Sequence, residues 1–130
     1  MPTMPEVLNM PDTTVALVGA TDAPWKYGHK IFHNLRAKGI TVYPVNEHRE
    51  TVGGTRAYPS LADLPVRPTI INVVVPPAEG AEIIRQVADL GWDHVWFQPG
   101  AESAEARATA HDLGITILDH ACTMVVATRR

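Results

Sequence analysis

Five short apolar segments alternate along the chain with stretches of helical periodicity. They are rich in β-branched residues and lie at residues 14–19, 40–46, 69–75, 94–97 and 115–118. Apolar runs of this length are typical of strands that are buried on both faces. Strands that alternate with helices pair in parallel and are joined by right-handed crossovers. The pattern therefore predicts an α/β, Rossmann-like domain: a three-layer open parallel sheet of about five strands in the order 3-2-1-4-5.

The length of the chain, 130 residues, suits one domain. We expect residues 13–130 to form that domain. Residues 1–12 contain three prolines and no periodicity, so we expect an extended or loosely docked N-terminal arm. Pro44 lies inside the second predicted strand, where the missing N–H has to face away from a partner strand.

Charge and cysteine content exclude several classes of protein. The formal net charge of −3 provides no global attraction to nucleic acid or to an anionic membrane. The apolar runs are shorter than the ~20 residues of a membrane span, and the N-terminus lacks a secretory signal pattern. The single cysteine, Cys122, excludes a disulfide within the chain. We expect a cytoplasmic protein with no nucleic acid or membrane partner; a homodimer stays open.

The loop after the first strand has the chemistry of an anion site. Gly19 ends the strand and Gly28 lies nine residues later, a spacing that matches neither the dinucleotide fingerprint nor the P-loop. Gly19 allows close approach of a ligand, and free amides near Tyr27 favour a phosphate. Lys26 adds a charge and Thr21 a hydroxyl donor. The alternative is a surface loop whose glycine serves turn geometry alone.

The end of the second strand carries an amide, Asn46, where NAD-binding domains often place an acid. A neutral side chain is compatible with a ribose that bears a phosphate, and His48 and Arg49 are near enough in sequence to meet it. The alternative is that Asn46 caps a turn and that the other two side chains are solvated.

Several motifs together resemble those of a known family. They are Val-Gly-Ala-Thr, Lys-Tyr-Gly-His, Tyr-Pro-Val-Asn, Tyr-Pro-Ser-Leu-Ala-Asp, Val-Val-Val-Pro-Pro and Val-Trp-Phe-Gln-Pro-Gly. The combination is similar to that of the small stand-alone CoA-binding domains, which are themselves similar to the N-terminal domain of the succinyl-CoA synthetase α subunit. The resemblance covers about residues 13–126.

The resemblance implies a protein whose partner is a small nucleotide ligand, coenzyme A or an acyl-CoA, bound at the carboxyl edge of the sheet. The loop after the first strand would hold the diphosphate, and Asn46 would lie by the phosphorylated ribose. Val75 and Pro76 would wall the adenine side, while Gln98 and Gly100 would line the channel toward the pantetheine arm. The expected cofactor-binding residues are Gly19, Ala20, Thr21, Lys26, Tyr27, Gly28, Asn46, Val75, Pro76, Gln98 and Gly100.

Two alternatives from other classes remain open at this point: an NAD(P)-binding redox protein or sensor, and an interaction subunit that uses the fold alone. Cys122 is a candidate thiol, with His120 and His111 as the nearest bases in sequence, but we favour a buried apolar cysteine. His29 and His33 are four residues apart without a third metal ligand. We assign no catalytic or metal-binding residue and expect a binding protein rather than an enzyme.

Overall fold

A computed structural model describes residues 2–130, in which an open parallel sheet lies between two layers of helices. The sheet contains β1 (Thr14–Val18), β2 (Thr41–Val45), β5 (Ile70–Val73), β6 (His94–Phe97) and β7 (Thr116–Leu118), and β3 (Thr51–Val52) pairs with β4 (Thr55–Arg56) in a separate antiparallel hairpin. The α-helices are α1 (Met4–Leu8), α2 (Tyr27–Ala37), α3 (Gly80–Asp89), α4 (Ala104–Leu113) and α5 (Thr123–Val126). The predicted α/β Rossmann-like class is confirmed.

The order of the strands differs from 3-2-1-4-5. It is β2-β1-β5-β6-β7, which is 2-1-3-4-5 when only the strands of this sheet are counted. All four residues of β5 are buried, which suits a strand with a partner on each side. Strand β2 lies at the edge of the sheet. The Pro44 carbonyl there accepts a hydrogen bond at 2.9 Å from the N–H of Tyr58, which lies outside the sheet. Pro44 has no N–H to donate. An edge strand tolerates this because its outer side forms no ladder hydrogen bonds, whereas an inner strand would lose one.

The corrected order moves the switch point of the sheet, which is the position where the chain stops adding strands on one side of β1 and starts adding them on the other. It lies between β1 and β5, the first and third strands, and not between the first and fourth. Alternate β1 side chains enter different cores: Val15 and Leu17 pack with α1, α2 and α5, whereas Ala16 and Val18 pack with α3 and α4. Ligands of open α/β sheets bind outside the carboxyl ends of the strands at such a switch point.

The N-terminal segment is a docked helix, so the expectation of an extended or loosely docked arm is wrong for residues 4–8. The Thr3 hydroxyl accepts a hydrogen bond from the Glu6 N–H and donates to its carboxylate, a reciprocal cap that starts α1. Met4 and Leu8 are one helical turn apart and both are buried in the core of this face. The Thr3–Glu6 capping pair is a sequence signal for this helix, but the three prolines of residues 1–12 favoured an extended arm instead.

The C-terminal tail, residues 122–130, whose structure the sequence pattern leaves unassigned, is bound to the same face. The Asn9 amide donates to the Val126 carbonyl at 3.0 Å, and the Arg130 guanidinium donates to the carbonyls of Met10 and Thr13 at 2.7 and 2.9 Å. Both ends of the described chain are therefore part of the folded unit. Within residues 2–130, the helices are too short or too polar to cross a membrane.

Candidate ligand-binding cleft

A cleft of about 600 Å³ opens at the carboxyl edge of the sheet, where the loop after β1 meets the loops after β5 and β6. This is the switch point of the strand order. It is lined by Gly19, Thr21, Trp25, Lys26, Tyr27, Gly28, Asn46, Val74, Val75, Pro76, Pro99, Gly100 and Ala101. The structure thus brings nine of the eleven expected binding residues to one surface, the exceptions being Ala20 and Gln98.

The two glycines of the first loop allow its ends to touch. A Cβ on Gly28 would lie 2.0 Å from the Gly19 carbonyl oxygen, so only glycine fits there without a backbone shift. Gly19 itself has φ +104°, a conformation that favours glycine, and faces Val74 and Val75 of the opposite wall. Gly19 and Gly28 therefore lie in close contact at the two ends of the loop, and the start of α2 packs against the end of β1.

The start of α2 presents its amides without a side-chain cap. Lys26 is the N-cap residue, and no side chain among residues 2–130 bonds to this end of the helix. The first amides of an α-helix have no acceptor within the helix, and here Tyr27 and Gly28 lie on the wall of the cleft. An anion placed there meets unsatisfied N–H groups, the positive end of the helix dipole and the Lys26 ammonium.

Thr21 and Ala20 have different positions within the same loop. Thr21 lies on the cleft wall, and its hydroxyl oxygen accepts a hydrogen bond from the Ala23 N–H at 3.2 Å. Ala20 is fully buried and does not reach the wall. Its carbonyl instead accepts a hydrogen bond from the Asn46 side-chain amide at 2.9 Å. Ala20 thus ties the loop to the neighbouring strand end.

Asn46 caps a turn and also lines the cleft. Its side-chain oxygen accepts a hydrogen bond from the His48 N–H at 2.8 Å, as the alternative interpretation of this residue predicted. The His48 ring points to solvent and pairs with Glu47, and Arg49 lies 3.9 Å from a carboxylate oxygen of Asp22. Neither His48 nor Arg49 is brought to the cleft wall.

The opposite wall is apolar. Val75 and Pro76 follow β5. Val74 also lines this wall, but it was not among the binding residues expected from the sequence, although it belongs to the same apolar segment, residues 69–75. Gly100, on the loop after β6, has φ +93°, and its N–H donates to the Glu102 carboxylate at 2.8 Å. That amide is therefore already paired.

Gln98 lies behind the cleft and does not line it. It is 4% exposed, and its side-chain oxygen accepts hydrogen bonds from the Thr123 N–H and hydroxyl, both at 3.0 Å. The Gln98 side-chain amide donates to the Cys122 sulfur at 3.2 Å, and the side-chain amide of the fully buried Asn72 donates to the Gln98 side-chain oxygen at 3.3 Å. This network fixes the start of α5 against the ends of β5 and β6. A polar Asn72 inside an apolar strand was the available signal for it.

Cys122 is half-buried and free, and it does not line the cleft. The two histidines considered as its bases are exposed: His111 lies near Asp112, and His120 lies 3.5 Å from Asp119. Neither ring is hydrogen-bonded to the sulfur in the described chain. The structure therefore does not assemble a cysteine–histidine pair.

Asp119, at the end of β7, pairs with Arg107 of α4. The hydrogen bond from the Arg107 guanidinium holds the pKa of the Asp119 carboxyl below its usual value, and His120 acts in the same direction. The same bond raises the pKa of Arg107. This partner of Asp119 could not be named from the sequence. The pair anchors the loop that leads to α5.

The rings of His29 and His33 meet edge to face, with centroids 4.4 Å apart and planes inclined at 61°. Residues 2–130 contain no group of three or more histidine, cysteine or acidic side chains that could hold a metal ion. The histidine pair therefore has no third ligand in the described chain.

Solved structures share this architecture. A conserved hypothetical protein from Pyrococcus furiosus is 38% identical, with a TM-score of 0.84 over 87% of this chain and 97% of that one. A hypothetical protein from Pyrococcus horikoshii is 29% identical, with a TM-score of 0.82 over 97% of this chain and 95% of that one. In each of these two comparisons, the similarity covers at least 87% of both chains.

Sequence comparison gives a larger relative and a family. The α subunit of an ADP-forming acetate–CoA ligase from Pyrococcus furiosus is 27% identical over 125 residues, which are 88% of this chain. The chain spans only 27% of the length of that relative. The family model described as CoA binding domain matches residues 13–128. The chain therefore belongs to the CoA-binding domain family.

Proposed function

We propose that this protein binds coenzyme A or an acyl-CoA in the cleft between the loop after β1 and the loops after β5 and β6. The observation that carries the proposal is the uncapped start of α2, which opens into a cleft at the switch point of the sheet. Membership of the CoA-binding domain family supports CoA over other nucleotides.

The ligand diphosphate belongs at the start of α2 in this proposal. The amides of Tyr27 and Gly28, the Thr21 hydroxyl and the Lys26 ammonium supply donors and positive charge on that wall. Gly19 leaves room for the phosphates because it carries no side chain. A ligand with several negative charges is favoured here even though the whole chain is acidic.

The two ends of the ligand leave the diphosphate in opposite directions. We place the adenosine between Asn46 and the apolar surface of Val75 and Pro76, and the pantetheine arm toward Gly100 and Ala101. Gln98 has a supporting role, because it holds the chain behind this wall and does not reach it.

The relative is one subunit of an acetate–CoA ligase, and the chain spans 27% of the length of that subunit. For this protein we propose the binding of CoA or an acyl-CoA, as a ligand-binding or regulatory protein or as a CoA-binding part of a larger assembly. The proposal includes a cytoplasmic location, because a chain with a single cysteine lacks the disulfide framework that is typical of small secreted domains.

Calorimetric titration of the purified protein tests this function. We expect one molecule of CoA or acetyl-CoA to bind per chain, more tightly than NADH does. Tighter binding of NADH contradicts the proposal and supports a redox protein. An absence of heat with every nucleotide at high-micromolar protein contradicts it too and supports an interaction subunit. Mass spectrometry of the small molecules released on denaturation gives an independent identification of the bound ligand.

A further inference from the structure

Trp25 is an exposed indole on the wall of the cleft. Its relative exposure is 76%, whereas Trp96 is fully buried and Trp92 is half-buried. Tyr27, on the same wall, is also exposed, but its ring has the Lys30 ammonium 5.3 Å from its centroid. Trp25 has no ring or cation partner among residues 2–130. Its indole is therefore free to stack on a ligand.

The position of Trp25 limits what it can contact. It precedes the start of α2 by two residues, so a ligand held there by its phosphates has an adjoining group beside the indole. Across the cleft, the loop after β5 presents the apolar surfaces of Val75 and Pro76. A flat group that enters between the two loops meets an aromatic face on one side and an aliphatic wall on the other.

We propose that the Trp25 indole stacks on the purine base of the bound nucleotide and is the main determinant of selectivity for the adenosine half of the ligand. This inference rests on the proposed function. The purine is the only aromatic group in CoA, and a base gains from stacking on an aromatic side chain in a way that the aliphatic pantetheine arm does not. Trp25 was absent from the binding residues expected from the sequence.

Titration of the intact protein with three probes tests the proposal: CoA, adenosine 3′,5′-bisphosphate and 4′-phosphopantetheine. We expect Trp25→Ala to weaken the first two by about 5- to 150-fold, the range that base–aromatic stacking gives. Binding of 4′-phosphopantetheine should stay within about twofold of that of the unchanged protein. Trp25→Phe should restore most of the lost affinity because it retains an aromatic face.

Fluorescence gives a second readout. Trp25 is the most exposed of the three indoles, so a purine stacked on it should quench emission in the unchanged protein but not in Trp25→Phe. The control is Val125→Ala, which alters an apolar side chain that is 83% exposed and lies away from the cleft. It should change neither affinity nor quenching.

Two results overturn the inference while leaving CoA binding intact. In one, Trp25→Ala binds CoA as the unchanged protein does. In the other, it loses affinity for 4′-phosphopantetheine at least as much as for adenosine 3′,5′-bisphosphate, which shows that the indole does not act through the purine. If the unchanged protein binds no CoA, the proposed function itself fails. Circular dichroism of each variant shows whether the fold is retained.

Discussion

Gly28 illustrates how a single side-chain hydrogen can decide the shape of the cleft. Its φ is not in the left-handed region, so backbone conformation alone does not require glycine there. The requirement is spatial, because a Cβ would lie 2.0 Å from the Gly19 carbonyl oxygen. Local turn chemistry in the sequence could not predict this contact, since its two members are nine residues apart.

Gly28→Ala is expected to push the start of α2 away from β1. We expect the free energy of unfolding to fall by about 1–3 kcal/mol, as for other overpacked sites, and CoA binding to weaken. Gly80→Ala is the control for crowding outside the cleft, because its Cβ would lie 3.2 Å from Ala106 and Phe97, a tight contact but a much milder one than at Gly28. Urea denaturation and calorimetry measure the two effects. Unchanged CoA affinity in Gly28→Ala is incompatible with a diphosphate at this helix start.

Lys26 adds the positive charge of the anion site. Because its side chain is exposed, we expect Lys26→Ala to weaken CoA binding by about 1 kcal/mol or less, roughly fivefold at most. The loss should shrink as salt rises, since salt screens exposed charges. Arg67→Ala is the control, since Arg67 is an exposed cation that lies away from the cleft. Equal effects of the two variants on affinity at low salt argue against a direct contact with Lys26.

At the scale of elements, the chain after β7 is held by polar contacts with its neighbours. The side chains of Gln98 and Asn72 accept hydrogen bonds from Thr123 at the start of α5, and the pair of Arg107 with Asp119 joins α4 to the end of β7. These contacts place Cys122 beside the Gln98 amide and away from the cleft wall. The sequence pattern located β7 but not its contacts with α4, because side chains that pair across elements leave no periodic signal.

Asp119→Asn is expected to make stability less dependent on pH. The pKa of Asp119 is lowered in the folded protein. Its contribution to stability is therefore fully present above the unfolded pKa and is lost as pH falls through the folded pKa. We expect the variant to be modestly less stable at neutral pH, with the difference vanishing in acid. Denaturation midpoints across this range measure it, with the exposed Asp112→Asn as control. A difference that persists in acid would show that another contact is responsible.

At the scale of the whole molecule, the segments at both ends of the described chain complete one core. One face of the sheet is covered by helices α1, α2 and α5 and by the C-terminal tail. This arrangement places both segments on the face opposite α3 and α4, so they belong to the folded unit. The family match begins at residue 13, which leaves α1 outside the matched region.

Leu8→Ala tests whether α1 belongs to the cooperative fold. Leu8 is fully buried, so we expect a loss of about 2–5 kcal/mol in the free energy of unfolding, as in other core truncations. Met10→Ala, at an exposed position just after the helix, should cost far less. Chemical denaturation measures both. A Leu8 variant as stable as the Met10 variant would mean that α1 contributes nothing to the core.

The amino-acid sequence by itself determined the α/β class, the parallel strands and the edge of the sheet at which glycine, proline and small polar residues gather. These features follow from the local periodicity of strands and helices and from the backbone preferences of single residues. It also contained Pro44, whose missing N–H is compatible with an edge strand.

Only the tertiary structure decided the position of β5 between β1 and β6, the contact of Gly28 with Gly19, the burial of Gln98 and the exposure of Trp25 on the cleft. Each of these depends on segments that are far apart in the chain and come together through packing. The physical reason is that strand order and side-chain burial are set by how two faces of one sheet are covered, and no local pattern contains that information.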